Sequence, residues 1–150
     1  MSQEVDYSEV VAKLERIGGL RPEIKALRRA AVEKYGEELL GKVRGKIGGT
    51  GKVAGWQEKY PGSGGGYSAV RARAETYHKG YAVGYITNAI ENGHRVSPPS
   101  GRAKRYRPQI RKAKVPGLGF YRASQPDAQA LADRAAAELT VAIAQMVENA

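Results

Sequence analysis

Eight cations and no carboxylate lie between Arg95 and Lys114: Arg95, Arg102, Lys104, Arg105, Arg107, Arg111, Lys112 and Lys114. The chain has 25 Lys and Arg against 15 Asp and Glu, a net charge of +10. This stretch therefore holds +8, and the remainder only +2. Ser97-Pro98-Pro99-Ser100-Gly101 leads into it and leaves little scope for regular structure. A charge so concentrated on a Pro- and Gly-bounded loop predicts a contact surface, for nucleic acid or for an acidic protein neighbour, rather than a merely solvated loop. Trp56 and Tyr60, set in a Gly-rich stretch, form a second candidate patch. That stretch is either a loop that orders on a partner or one folded over the core with Trp56 as its plug.

Other chemistry is hard to find. There is no Cys, which removes disulfides, thiolate nucleophiles and Cys-based metal sites together. The two histidines, His78 and His94, have no His-x-x-x-His spacing and no carboxylate cluster beside them, so no metal site and no cofactor is expected. No serine sits in a Gly-x-Ser-x-Gly elbow, and Gly62–Gly66 lacks the Gly-Lys-Ser/Thr ending of a P-loop. Glu91 and His94 share one turn, but a pair without a third orienting group is weak ground for acid–base catalysis. Glu91 is expected instead to fix the turn through hydrogen bonds or an ion pair. The sequence predicts a non-enzymatic protein.

A pI near 9.9 and the mixture of Arg and Lys with Tyr106 suit a nucleic-acid binder. No helix-turn-helix, zinc-finger or RNA-recognition signature accompanies them, and one aromatic is no stacking platform. The beginning, Met1-Ser2-Gln3-Glu4-Val5-Asp6, is polar and acidic and reads as no secretory signal. No apolar run approaches the roughly 18 residues of a membrane span.

The elements that must carry these residues follow from periodicity. Over 150 residues one domain is expected, of α+β class. Val10, Val11, Leu14 and Ile17 make one stripe of a short helix over 7–17, stopped by Gly18-Gly19. A longer helix starts near Pro22 and repeats Ile24, Leu27, Ala31, Tyr35, Leu39, Val43 and Ile47, completing a helical part over 7–47. Gly36 and Gly41 within it mark a bend or a close approach of another backbone. A Gly-rich loop is expected over 50–66. Alternation over Tyr67–Tyr77 and Tyr81–Asn88, around His78-Lys79-Gly80, predicts a β-hairpin. A third short strand is expected around Lys114–Tyr121, giving a small sheet over 67–121 interrupted by the basic loop 95–114. Ser124 is a fair cap for a last helix over 124–148, with Leu131, Ala135, Leu139 and Ile143 as its stripe.

With this order of elements, Ile86-Thr87-Asn88, Glu91-Asn92-Gly93-His94-Arg95 and Val115-Pro116-Gly117-Leu118-Gly119-Phe120-Tyr121-Arg122-Ala123 resemble the tail-component family of long-tailed bacteriophages, the minor tail, tail-completion or neck proteins. Of the pattern that usually precedes the family's hairpin, Pro61–Ser68 keeps only Pro, Gly and Ser. The resemblance implies a long N-terminal and a long C-terminal helix packed on a small antiparallel sheet. It implies a structural virion protein at the head–tail junction, made in the host cytoplasm. Such a protein forms a ring, of six in the family's usual arrangement, between the head connector and the tail terminator or tail tube. Double-stranded DNA in the channel is then a second candidate partner for the basic loop. The competing readings are a basic nucleic-acid-binding module and an assembly factor with no place in the finished particle.

Overall fold

The computed structural model describes residues 8–49, 51–95 and 114–150. Two long helices dominate. α1 (Ser8–Gly19) is followed, after Leu20, by α2 (Arg21–Ile47), with Pro22 in the first turn, where its missing N–H costs nothing. The last helix, α5 (Phe120–Glu148), runs antiparallel to α2. A ladder of ion pairs fixes their register: Lys34 with Glu138 at 3.6 Å, Arg134 with Glu38, and Lys46 and Lys42 with Asp127. Beneath it Leu39, Val43 and Ile47 of α2 meet Phe120 and Leu131 of α5 in the core, with Tyr35, Ile90 and Ala128 packed around them.

Between the long helices lie α3 (Lys52–Gly55), β1 (Gln57–Pro61), a 3-10 turn at Ser63–Gly65 and β2 (Ser68–Ala72). β1 and β2 form an antiparallel hairpin with Gln57 opposite Ala72 and Pro61 opposite Ser68. One face of this hairpin lies on α2. Gly36 makes that possible, since a Cβ there would fall 2.2 Å from the Ser68 hydroxyl oxygen. Lys59, on the inner face, pairs with Glu33 and Glu37 of α2. Gly36 is thus a point of close approach, but to the side chain of Ser68 and not to another backbone, whereas a Cβ on Gly41 would meet nothing.

Then come the two-residue strands β3 (Tyr77–His78) and β4 (Tyr81–Ala82), the helix α4 (Val83–Asn92), and a third antiparallel pair, β5 (Gly93–Arg95) with β6 (Lys114–Pro116). The fold is α+β as expected: long helices near both ends and a small antiparallel sheet component made of two-stranded hairpins.

Three local expectations are corrected. The strand expected at Tyr81–Asn88 is mostly helix: Val83, Ile86, Thr87 and Ile90 fall at i, i+3, i+4 and i+7, and Val83 and Thr87 are buried. The tyrosines that completed the alternation, Tyr81 and Tyr85, are exposed. Consequently β2 pairs with β1, drawn from the stretch 50–66 read as loop, and not with the segment after His78-Lys79-Gly80. Finally, α5 begins four residues before Ser124. The Ser124 hydroxyl donates to the Phe120 carbonyl at 2.8 Å inside the helix and caps nothing.

Candidate interaction surface

Arg95 and Lys114, the outermost residues of the basic stretch, face each other as the last rung of the β5–β6 pair, and both are exposed. Like charges directly opposite on a ladder are unfavourable. What precedes this rung has to hold the two strands together, and it does so mostly with backbone.

Gly93 has φ +80°, and a Cβ on it would stand 2.5 Å from the Val115 carbonyl oxygen. A Cβ on Gly117 would stand 2.2 Å from the Glu91 carbonyl oxygen. Only two glycines let these strands approach so closely. The Leu118 and Gly119 amides then donate to the last carbonyls of α4, those of Ile90 (2.8 Å) and Glu91 (3.0 Å). The Glu91 carboxylate crosses to the start of α5 and accepts from the amides of Tyr121 (3.0 Å) and Arg122 (3.1 Å). A negative group on two free N–H groups at a helix N-terminus is favourable both as a cap and toward the macrodipole. This explains why α5 starts at Phe120 with no capping side chain of its own at Gly119. The expectation that Glu91 fixes the turn by hydrogen bonding holds.

A buried polar cluster backs the clasp. Gln57 is fully buried. Its amide nitrogen donates to the Val53 carbonyl at 3.1 Å and the Thr87 hydroxyl at 3.4 Å, and its amide oxygen accepts from the Tyr121 hydroxyl. Burial first, and the nearby Glu91 charge second, push the Tyr121 hydroxyl up to about 12. Gln57, Thr87 and Tyr121 tie β1, α4 and α5 together directly behind the stem. Their association was not legible in the sequence, because Gln57 lies 30 positions from Thr87 and 64 from Tyr121.

The remaining site residues are dispersed. Trp56 caps α3 half-buried, its ring centroid 5.3 Å from that of His78. Tyr60 is exposed on the outer face of the hairpin, beneath the Arg71 guanidinium at 3.4 Å. Arg102, Lys104, Arg105, Arg107, Arg111 and Lys112 lie outside the described residues. Among the described residues, no three His, Asp or Glu converge as a metal site, and no helix is long and apolar enough to cross a membrane.

Two further surfaces are apolar. Val10, Val11 and Leu14 of α1 are all more than half exposed, at 55%, 51% and 62%. An open cleft of about 330 Å³ lies along α2 and α5, lined by Ala31, Val32, Tyr35, Tyr67, Ala135 and Leu139 among others. No family model matches the chain, and neither a curated protein nor a solved structure matches it.

Proposed function

We propose that this chain is a structural protein of a tailed bacteriophage, seated as a ring at the head–tail junction between connector and tail. The observation that carries the reading is the clasped stem: Glu91, Gly93 and Gly117 spend close backbone packing and a carboxylate on holding both ends of an acid-free segment with eight cations. A fixed base under a densely charged segment suits a contact made on assembly, with the acidic surface of a neighbouring ring as the partner we favour. The exposed stripe of α1 supports subunit contacts, since a monomer leaves it uncovered. The motifs Glu91-Asn92-Gly93-His94-Arg95 and Val115-Pro116-Gly117-Leu118-Gly119-Phe120-Tyr121, which resemble tail-completion and neck proteins, support the same reading.

Deleting the gene from a phage that encodes it and imaging the lysate tests the proposal. The expected result is DNA-filled heads and separate tails, rejoined when the chain is supplied in trans. Normal, infectious particles from the deletion would contradict it. Joined particles from which the protein is absent would favour the assembly-factor reading.

A further inference from the structure

The cations of α2 fall into two groups. From Lys34 onward each is engaged: Lys34 with Glu138, Lys42 and Lys46 with Asp127, and Arg44 with the carbonyls of Ala54 (3.2 Å) and Gln57 (2.8 Å). Before it, Arg21, Lys25, Arg28 and Arg29 are all exposed, and among the described residues no carboxylate pairs with any of them. At 3.6 residues per turn these four fall within about 100° of arc and along about 12 Å of helix axis. They continue the face that buries Leu39, Val43 and Ile47 farther along, and the turn of the β1–β2 hairpin reaches only their Arg28–Arg29 end.

This stripe does not serve the helix. Arg21–Lys25 and Lys25–Arg29 are like-charge pairs at i, i+4, and both stand toward the N-terminal end, where the macrodipole disfavours cations. Nor does it resemble the centre of a protein–protein interface, which relies on aromatic and apolar anchors. Pro22, Ala26 and Ala30 flank the stripe on one side and border a shallow concavity with Lys25, Arg29 and Glu33, whose carboxylate is held by Lys59. Small residues let a helix lie flat against a surface, and Arg forks suit phosphate oxygens. The Arg end is also positioned: the Arg28 guanidinium donates to the Gly64 carbonyl at 3.4 Å, and Gly65 leaves room for the Arg29 side chain.

We infer that Arg21, Lys25, Arg28 and Arg29 form a binding stripe for the phosphate backbone of double-stranded DNA, contacting it without reading sequence. The inference goes beyond the junction assignment and does not require it. With no aromatic in the stripe, a duplex is the ligand it fits, since single-strand binders stack bases on aromatic rings.

The test uses the full chain with Arg102, Lys104, Arg105, Arg107, Arg111 and Lys112 changed to Gln, so that their charge does not obscure that of the stripe. Binding to a fluorescent 30-base-pair duplex of arbitrary sequence is followed against salt. Adding R21Q, K25Q, R28Q and R29Q should lower affinity more than about tenfold at low salt and reduce the slope of log K against log salt by about 3 to 4. Gln is a good helix former, and an unchanged melting curve shows that folding is kept. An unchanged affinity and slope would overturn the inference. So would binding of polyglutamate as tightly as duplex through the same four residues, which would assign the stripe to an acidic protein.

Discussion

The Glu91 side chain both caps α5 and closes the stem. Glu91→Ala should cost about 1–2 kcal/mol, the upper range for a lost cap, measured by urea denaturation. Gly93→Ala and Gly117→Ala should each cost at least about 2 kcal/mol, since a Cβ would press on backbone that cannot swing aside. Gly41→Ala, with nothing near it, should be neutral or stabilising and is the control. Tyr121 titrates in the folded chain at about 12, above its ordinary value of about 10. The raised value means that the fold favours the neutral hydroxyl. Its contribution is fully present below about pH 10 and is lost as pH rises toward 12. Tyr121→Phe should remove the highest tyrosinate step from an absorbance titration. Glu91 was legible from its place beside Gly93 in a turn; Gln57 and Tyr121 were not, because a buried polar pair separated by 64 positions leaves no local pattern.

At the scale of elements, the long helices were legible from apolar repeats sustained over several turns. The stripe Leu39–Val43–Ile47 and the repeat through Leu131 both enter the core. α4 was misread because Tyr81 and Tyr85 simulate alternation while the residues that matter, Val83 and Thr87, follow the helical period. β1 was hidden among glycines, and its pairing was set by the approach of Ser68 to Gly36, which depends on tertiary structure. The start of α5 depended on a carboxylate from another element. Phe120→Ala should cost about 3–5 kcal/mol, as a buried ring at the meeting of α2 and α5 is lost. The hydrogen bond from Lys46 holds the Asp127 carboxyl below its usual range, and that from Lys59 does the same for Glu37. A depressed folded value contributes stability above the unfolded value, about 4, that is lost as pH falls through the folded one. Melting temperature should therefore drop as pH falls below about 4, with part of the drop absent in Asp127→Asn and in high salt.

For the whole molecule, the pattern is a small core between two long helices, an uncovered apolar stripe on α1, and positive charge gathered at a clasped stem and along the start of α2. Under the junction proposal, these are the surfaces that copies and neighbours would cover. Quantitative mass spectrometry of purified particles from the producing host tests it most directly. The account predicts the 16.2 kDa chain at a fixed, low copy number, roughly six per particle for one closed ring. A chain abundant in the lysate and missing from finished particles would contradict it.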